Sequence, residues 1–348
     1  MKILHCPTPT GGNAYGLAQG ERAIGLDSTV MYYNNTWLGY PCDINLQIAK
    51  YNFLKKCHKG LSFFIKSLST YDVFHFNFGR TLLTCPGLGL FGVDLPIYKW
   101  AGKKVIVTYN GCDIRLQGNC GACQDLNAGG REGSACDTNM CDRKKLANIR
   151  KFHKYADHIF AVNPDLLQFL PNGEFIPYTI QDFDKLCPNK KKHTNKIKIA
   201  HAPTNQQVKG TFYIQKAMKQ ICSENQDVEF QLIQNVSNVH ARLLLQQVDI
   251  VIDQLLIGWY GGLAVEAMAL GVPVICFIRE EDLKFIPMEM KEEIPIINAN
   301  PTNIHKVIME TIEDRKNLLQ IGEMSRAYVE KWHDPIKIAG RMKEVYRA

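Results

Sequence analysis

The chain has 348 residues, of which 46% are hydrophobic and 22% are charged, and its formal net charge is +7. These values describe a globular protein that is long enough for two domains of ordinary size. The sequence has no run of 18 or more apolar residues, which argues against a membrane-spanning helix. It also has no cluster of lysine and arginine with interleaved aromatic residues, so we expect no nucleic-acid partner.

The N-terminus, "MKILHCPTPT", predicts a first β-strand rather than a signal peptide. We therefore expect a cytoplasmic protein whose twelve cysteines are thiols or metal ligands before they are disulfides. Residues 1–190 hold 21 Lys and Arg against 15 Asp and Glu, a difference of +6, whereas residues 191–348 hold 20 against 19, a difference of +1. The basic first half suits an anionic acceptor or the inner face of a membrane, although ordinary solubility charge explains it equally well.

Strands and helices alternate along the first half of the chain. Short apolar runs predict strands at residues 2–6, 28–33, 73–78 and 103–109. This alternation predicts a parallel sheet with helices on both faces. A second alternation begins at residue 197, after a lysine-rich segment without apolar periodicity at residues 187–196, which we interpret as a linker.

An amphipathic helix is predicted over residues 44–68, where apolar side chains recur at helical spacing. Its other face carries five lysines: Lys50, Lys55, Lys56, Lys59 and Lys66. Two arrangements fit this pattern. The helix packs on the sheet with a solvated basic face, or it makes peripheral contact with a membrane surface.

The run "GLGLFG" at residues 87–92 matches the dinucleotide-binding pattern G-x-G-x-x-G. That pattern requires its first glycine directly after a strand and a helix that opens on it. The preceding strand is predicted to end about nine residues earlier, so the run favours a loop, and an NAD-type oxidoreductase is kept as an alternative.

Four cysteines are spaced C-x2-C-x12-C-x4-C within a polar, glycine-rich loop at residues 112–142: Cys120, Cys123, Cys136 and Cys141. Two close pairs of thiolates can complete a tetrahedron around one ion, and four thiolates leave no open coordination position. The spacing predicts a structural zinc site. An iron–sulfur cluster, free thiols and a disulfide pair are the alternatives.

This loop follows the predicted strand at residues 103–109, and ligands of open α/β sheets bind at the carboxyl ends of strands. Asn110, Asp113 and Arg115 lie at that strand end. Asp113 and Arg115 are therefore candidates for contact with a ligand. A helix or turn cap is an equally good explanation of Asp113.

Two stretches of the second half predict a phosphate site. "IKIAHAPTNQQVKGT" at residues 197–211 is a buried strand and a polar loop that brings Lys209 to a helix start, where its charge could neutralise a diphosphate. "VDIVIDQLLIGWYGGLAVEAMALGVPVICF" at residues 248–277 is a strand, a glycine turn, a helix at residues 263–270 and a second strand. Helix-terminal amides at such a turn bind phosphate, and Glu266 could reach sugar hydroxyls beside it. A solvated Lys209 and a Glu266 that only complements the helix dipole are the alternatives.

Together the two stretches resemble the donor-binding half of GT-B glycosyltransferases of the family-four group. "HAPTNQQVKGT" looks like the loop with the diphosphate lysine, and "GWYGGLAVEAMALGVPVI" looks like the E-x7-E…G-x-P-V-I signature. The resemblance implies that Lys209 neutralises the leaving diphosphate and that Glu266 holds the ribose hydroxyls. The remaining donor contacts it implies are Gly12, Asn205, Gly258 and the amides of Gly261, Gly262 and Leu263.

The same resemblance implies two Rossmann-like parallel-sheet domains facing a cleft. The first, residues 1–186, would bind the acceptor, and the second, residues 197–334, would bind the nucleotide sugar. The last helix, at about residues 335–348, would cross back to the first domain, with a kink at Pro335. Two departures stand out: Gly258 occupies the place of the first glutamate, and Asn205 stands near the place of a common arginine.

The expected function is sugar transfer from a UDP- or GDP-type donor to a hydroxyl or amine, with Lys209, Glu266 and Asp113 as catalytic residues. The acceptor would be a small molecule, a glycan or a lipid-linked glycan. No D-x-D motif stands at a strand end, so we expect no catalytic divalent metal, and the resemblance implies retention of configuration. A nucleotide-sugar epimerase of the same fold and a non-catalytic binding protein also fit these features.

Overall fold

The computed structural model describes residues 1–84, 91–116, 142–188 and 196–348. The described residues form two compact units. Unit 1 comprises residues 1–84, 91–116, 142–182 and 334–348, and unit 2 comprises residues 183–188 and 196–333. Each unit contains a parallel sheet with helices, so the predicted α/β class is confirmed.

The described part of unit 1 contains a sheet of seven parallel strands in the order β3-β2-β1-β4-β5-β6-β7. The strands are β1 (Lys2–Cys6), β2 (Asp27–Tyr32), β3 (Ile44–Asn45), β4 (Val73–Asn77), β5 (Lys104–Tyr109), β6 (His158–Ala161) and β7 (Glu174–Phe175). The strand order reverses between β1 and β4. In open α/β sheets such a reversal is where ligands bind, beyond the carboxyl ends of the strands.

Five helices of unit 1 are described: α1 (Asn13–Ala23), α2 (Phe53–Thr70), α3 (Leu95–Trp100), α4 (Asp142–Tyr155) and, from the end of the chain, α12 (Pro335–Arg347). Helix α12 packs directly on α1. A Cβ placed on Gly20 of α1 would lie 2.1 Å from the carbonyl oxygen of Pro335. The two backbones therefore approach closely because residue 20 has no side chain, and the last helix belongs to the first unit, as predicted.

A buried polar network ties α12 to the sheet. Glu21 is fully buried. Its carboxylate accepts hydrogen bonds from Ser28 Oγ at 2.6 Å and Tyr346 Oη at 2.7 Å, and it lies 2.8 Å from His5 Nε2. Tyr346 Oη also contacts His75 Nδ1 at 2.9 Å, and burial lowers the pKa of His75 well below its usual value. His75 is therefore neutral, and its hydrogen bond with Tyr346 stabilises the unit without a charge on the ring.

The described part of unit 2 contains five parallel strands in the order β12-β11-β10-β8-β9. They are β8 (Ile197–His201), β9 (Val228–Leu232), β10 (Ile250–Ile252), β11 (Val274–Cys276) and β12 (Ile297–Asn298). The helices are α5 (Gln206–Lys209), α6 (Thr211–Glu224), α7 (Asn238–Leu245), α8 (Gly262–Ala269), α9 (Met288–Glu292), α10 (Ile304–Glu313) and α11 (Arg315–Trp332). The order reverses between β8 and β10, which places the loops after these two strands side by side.

Two predicted helices differ from the structure. The helix predicted over residues 44–68 begins at Phe53, because Asn52 caps it by accepting a hydrogen bond from the backbone N–H of Lys55 at 3.0 Å. The residues before it form strand β3 and a short 3-10 turn, Ile48–Lys50. Pro335 is not a kink: it occupies the first turn of α12, whose cap is Asp334, and α11 ends before it.

Within the described residues, no helix combines the length and the apolar character that crossing a membrane requires.

Candidate functional site

Lys209 and Asp253 meet beyond the carboxyl ends of β8 and β10. Lys209 Nζ donates to Asp253 Oδ1 at 2.7 Å. The Asp253 side chain is fully buried, whereas 16% of the Lys209 side chain remains exposed. Because the two strands are neighbours at the reversal of the sheet, their loops bring this pair together without long-range distortion.

The loop before Lys209 is held at both of its ends. Asn205 caps α5 by accepting hydrogen bonds from the backbone N–H groups of Gln207 at 3.0 Å and Val208 at 3.2 Å. Gly210, with φ of +72°, ends this short helix in the left-handed region and starts α6. The amide of Asn205 thus serves as a helix cap in this structure, and its predicted contact with the donor stays a prediction.

The buried side chain of His201 connects strand β10 to the start of α6, next to the same loop. Its Nδ1 lies 2.8 Å from the carbonyl oxygen of Ile252, which can only accept, so Nδ1 carries the proton. Its Nε2 then accepts from Thr211 Oγ1 at 2.8 Å. Burial lowers the pKa of His201 to about 4, so the ring is neutral at physiological pH and links β8, β10 and α6 as an uncharged bridge.

The amino end of α8 faces the same pair. The backbone N–H of Gly261 donates to Asp253 Oδ2 at 2.7 Å, and a Cβ placed on Gly261 would lie 3.2 Å from Lys209 Nζ. Gly261 is the cap residue and has no side chain that could accept from the first turn. The amides of Gly262 and Leu263 have no acceptor within the helix and carry the positive end of its dipole. One buried carboxylate thus holds both the lysine and the cap amide of this helix.

Glu266, one turn into α8, lies in a buried cluster. Its Oε1 accepts from Arg242 Nε at 3.1 Å, from Arg242 Nη2 at 2.8 Å and from Asn238 Nδ2 at 2.9 Å. Only 5% of its side chain and 9% of the Arg242 side chain are exposed. Glu266 is therefore anchored by α7, and a ribose contact would use the lone pairs of its second oxygen, Oε2, which receives one longer contact of 3.2 Å from Asn238.

The glycine turn between β10 and α8 is closely packed. Gly258 has φ of +90°, and a Cβ on it would lie 2.8 Å from Cβ of Arg279. The next residues, Trp259 and Tyr260, are buried, with ring centroids 4.3 Å apart. Tyr260 Oη contacts Tyr328 Oη at 2.8 Å and His333 Nε2 at 2.9 Å. Residue 258 thus requires glycine for both conformation and space.

Gly12 and Asp113 belong to unit 1. Gly12 caps α1 with φ of +73°, and a Cβ there would lie 2.9 Å from the ring of Tyr40. The Asp113 carboxylate accepts from the backbone N–H groups of Asn110 at 3.1 Å and Gly111 at 2.7 Å, so it caps the turn after β5. Burial raises the pKa of Asp113 to about 6, against the opposing effect of these backbone hydrogen bonds.

Arg115 lies in a buried ion pair with Asp165. Its Nη2 donates to Asp165 Oδ1 at 2.9 Å and its Nε donates to Oδ2 at 2.5 Å. Lys145, also buried, donates to the carbonyl oxygen of Arg115 at 2.6 Å. This bidentate geometry occupies the guanidinium, so Arg115 braces the turn that carries Asp113.

The predicted zinc ligands lie outside the described residues: Cys120, Cys123, Cys136 and Cys141. The same holds for residues 87–90 of the run "GLGLFG". Elsewhere in the chain, in the residues that are described, no group of three or more His, Cys, Asp or Glu side chains forms a metal cluster. Strand β4 ends at Asn77, and residues 78–84 contain no strand, so the described residues give the dinucleotide pattern no strand directly before its first glycine.

Several residues of this site were not predicted: Asp253, Arg242, Asn238 and His201. Asp253 had a usable signal, since it is a polar residue at the end of the apolar run "VDIVI" and so at a carboxyl strand end. Arg242 lies 24 residues before Glu266 on another helix, and nothing in the local sequence indicates their contact.

Several solved structures of other proteins are similar to this chain over nearly its whole length. The sequence matches no protein-family model, and no curated protein matches it significantly. Among solved structures, sucrose-phosphate synthase from Thermosynechococcus elongatus is similar with a TM-score of 0.66 at 14% identity, over 100% of this chain and 98% of that one. HepE from Anabaena, in complex with UDP and glucose, has a TM-score of 0.62 at 13% identity, over 99% and 98% of the chains. A protein from Listeria monocytogenes assigned as a UDP-N-acetylglucosamine 2-epimerase has a TM-score of 0.57 at 14% identity, over 99% and 94%.

These likenesses establish the fold. The chain has the GT-B fold, with two parallel-sheet α/β units and a last helix that belongs to the first unit. The predicted fold class is therefore confirmed.

Proposed function

We propose that the protein transfers a glycosyl group from a nucleotide-diphosphate sugar of the UDP or GDP type to an acceptor hydroxyl or amine. The observation that carries the proposal is the arrangement at the amino end of α8. There Asp253 holds Lys209 Nζ and the Gly261 N–H at 2.7 Å each, beside a helix end capped only by glycine. The likeness to HepE supports the proposal, since the structure of HepE has been solved with UDP and with UDP-glucose.

The chemistry follows from where charge develops. Cleavage of the glycosyl–oxygen bond leaves the negative charge on the diphosphate, and groups already oriented toward that charge lower the barrier. Lys209 supplies a cation, and the amides of Gly262 and Leu263 supply helix-terminal donors. Asp253 keeps the lysine oriented before the donor binds. Glu266, fixed by Arg242, would hold the ribose hydroxyls through Oε2.

A lysine and backbone amides stabilise the leaving group in the way a divalent metal otherwise would, so we propose transfer without a catalytic metal. Retention of configuration is proposed on the family-four resemblance. We assign donor binding to unit 2 and acceptor binding to unit 1, where Asp113 lies beyond the carboxyl end of β5. The donor contact that the resemblance implies for Gly12 stays a prediction. The enzyme would act in the cytoplasm, at the inner face of the membrane if its acceptor is lipid-linked.

We propose further that the four cysteines at positions 120, 123, 136 and 141 hold a structural zinc ion. The support is their spacing, two close pairs within a polar segment that offers little apolar surface to bury.

The seven cysteines in the described residues are free thiols, as in a reducing compartment.

A nucleotide-sugar epimerase is the second candidate, favoured by the likeness to the Listeria monocytogenes structure. A thermal-shift screen of UDP, GDP, ADP, TDP and NAD tests the common element. We expect stabilisation by a nucleoside diphosphate and none by NAD. Incubation of the protein with the matching nucleotide sugar then separates the two reactions. Formation of an epimerised sugar without acceptor indicates the epimerase. A donor that stays unchanged without acceptor and is consumed when acceptor is added indicates the transferase. Protection by NAD alone would contradict both.

A further inference from the structure

Arg279 lies against the glycine turn of unit 2. It belongs to the loop that follows β11, the strand next to β10 in the sheet. A Cβ placed on Gly258 would lie 2.8 Å from the Arg279 Cβ and 3.3 Å from both Cζ and Nε of its guanidinium. The arginine therefore fills the space into which a side chain at residue 258 would point.

The loop that carries Arg279 is held on two sides. The backbone N–H of Arg279 donates to the carbonyl oxygen of Gly258 at 2.9 Å. On the other side, the Asn298 side chain of β12 accepts from the Ile278 N–H at 2.9 Å and donates to the Ile278 carbonyl oxygen at 3.1 Å. These contacts fix the start of the Arg279 side chain before any ligand binds.

The guanidinium of Arg279 keeps most of its hydrogen-bonding capacity. Its one hydrogen bond within the described residues runs from Nη1 to Asp282 Oδ2 and is 3.3 Å long, and 24% of the side chain is exposed. Arginine carries five N–H donors, and its strong pairs with carboxylates use two nitrogens at about 2.7–2.9 Å. Arg115 and Arg242 each hold their carboxylates with two nitrogens. Arg279 therefore retains donors for a further anion.

This guanidinium lies close to the proposed phosphate site. Gly258 is three residues before Gly261, whose N–H shares the Asp253 carboxylate with Lys209. Three residues span at most about 11 Å, so a sugar attached to a diphosphate at this helix end can reach the turn at Gly258. The resemblance places a glutamate at residue 258, which would offer only acceptors. The guanidinium that takes its space offers only donors and the opposite charge.

We infer that Arg279 binds a carboxylate on the sugar of the donor, so that the donor is a nucleotide-diphosphate uronic acid rather than a neutral hexose. A planar guanidinium matches the two oxygens of a carboxylate, whereas a sugar hydroxyl would leave its charge uncompensated. The inference rests on the proposed function, because it concerns the sugar of the nucleotide donor that we assign to unit 2.

Calorimetry with UDP, UDP-glucose and UDP-glucuronic acid tests this inference on the full-length protein. If guanosine is the preferred base, GDP, GDP-mannose and GDP-mannuronic acid replace them. We expect the uronic acid donor to bind at least about tenfold more tightly than the neutral donor, as one hydrogen bond between charged groups accounts for. Arg279→Gln should remove most of this preference and leave the affinity for the nucleoside diphosphate unchanged. Lys284→Gln, at an exposed lysine of the same segment, should keep the preference.

Arg279→Gln also takes the arginine away from the buried Asp282, so Arg279→Gln with Asp282→Asn is the second variant. It should recover stability that the single variant loses and show the same loss of preference, which separates sugar recognition from folding. Equal affinities of the parent for the two donors, or a preference kept in both variants, would overturn the inference. A parallel loss of affinity for the nucleoside diphosphate in Arg279→Gln would assign the arginine to the diphosphate instead. A parent that binds no nucleoside diphosphate would contradict the proposed function itself.

Discussion

The carboxylate of Asp253 lies 2.7 Å from the ammonium of Lys209, and its other oxygen accepts the Gly261 N–H at the same distance. A carboxylate thus already contacts the cation that we propose for the donor diphosphate. Its second oxygen holds the cap amide of α8, next to the Gly262 and Leu263 amides of the proposed phosphate site. This preorganisation predicts that Lys209 has a structural role and a catalytic role, which can be separated.

Lys209→Met should leave Asp253 as an unpaired buried charge, so unfolding free energy should fall by about 3–5 kcal/mol. Asp253→Asn added to this variant removes the unpaired charge and should restore most of that stability. Transfer should stay on the order of 10²–10³-fold below the parent in both variants, because neither has the cation for the leaving diphosphate. Denaturant unfolding and initial rates with the matching nucleotide sugar measure the two effects. A double variant that regains both stability and activity would restrict Lys209 to a structural role.

Glu266 and Arg242 form the second separable pair. Glu266→Gln and Arg242→Gln each break the same buried ion pair, so each should destabilise the protein by about 3–5 kcal/mol. Only Glu266→Gln changes the oxygens proposed for the ribose hydroxyls. We expect it to weaken nucleoside-diphosphate affinity more than Arg242→Gln does, because the second variant keeps both carboxylate oxygens and the Asn238 hydrogen bond that helps to orient them. Calorimetry below the melting temperature of both variants measures the affinities. Equal losses in both variants would mean that Glu266 acts only through its ion pair.

Local periodicity and glycine placement predicted the strands around the site and the helix that carries Glu266. The roles of Lys209 and Glu266, which the family resemblance implies, stay predictions. The helix predicted at residues 263–270 is α8 (Gly262–Ala269), and Gly271 follows it with φ of +68°. The contacts of Lys209 with Asp253 and of Glu266 with Arg242 could not be derived in the same way, since they join residues separated in sequence by 44 and 24 positions. The helix predicted from residue 44 begins only at Phe53. The sequence does contain a signal for this start, because asparagine, here Asn52, is a common helix-capping residue.

Helix α12 depends on its close approach to α1, and two glycines test this. Gly20→Ala should destabilise unit 1 by about 2 kcal/mol or more, because its Cβ would lie 2.1 Å from the Pro335 carbonyl oxygen and the backbones would have to separate. Gly340→Ala is the control within α12. No atom lies within 4 Å of its Cβ position, so it should be neutral or should stabilise the helix by up to about 1 kcal/mol. Thermal unfolding of both variants distinguishes these outcomes. Equal effects would contradict the close packing.

Asp113 should make stability depend on pH in a defined direction. Its carboxyl has a pKa of about 6 in the folded protein, against 3.8 as its ordinary value, so between these values the folded state binds more protons than the unfolded state. The stability that Asp113 contributes is present at low pH and is lost as pH rises through about 6. Between about pH 5 and pH 7.5 the unfolding free energy of the parent should fall by about 1.4 kcal/mol relative to Asp113→Asn. Denaturant titrations of both proteins at the two pH values measure this difference, and a constant difference would contradict the raised pKa.

The four-cysteine segment should carry a tightly bound zinc ion. Elemental analysis should find about one zinc per chain, since a closed site of four thiolates holds the ion through purification. The apparent binding free energy of such sites is about 10–16 kcal/mol in small peptides, so brief EDTA treatment should leave the metal in place. Transfer activity should then be unchanged in EDTA without added magnesium or manganese, because the proposed donor site uses Lys209 and backbone amides instead of a divalent ion.

Cys136→Ser should remove the zinc and impair transfer, because the segment follows the turn that carries Asp113. It should spare nucleoside-diphosphate binding, which we assign to unit 2. Cys187→Ser, at an exposed thiol outside the four-cysteine pattern, should keep both metal and activity. Metal content, calorimetry with the diphosphate and initial rates give the three readouts. A zinc-free Cys136→Ser protein with full transfer activity would show that the ion plays no part in acceptor handling, and a parent protein without metal would remove the zinc site altogether.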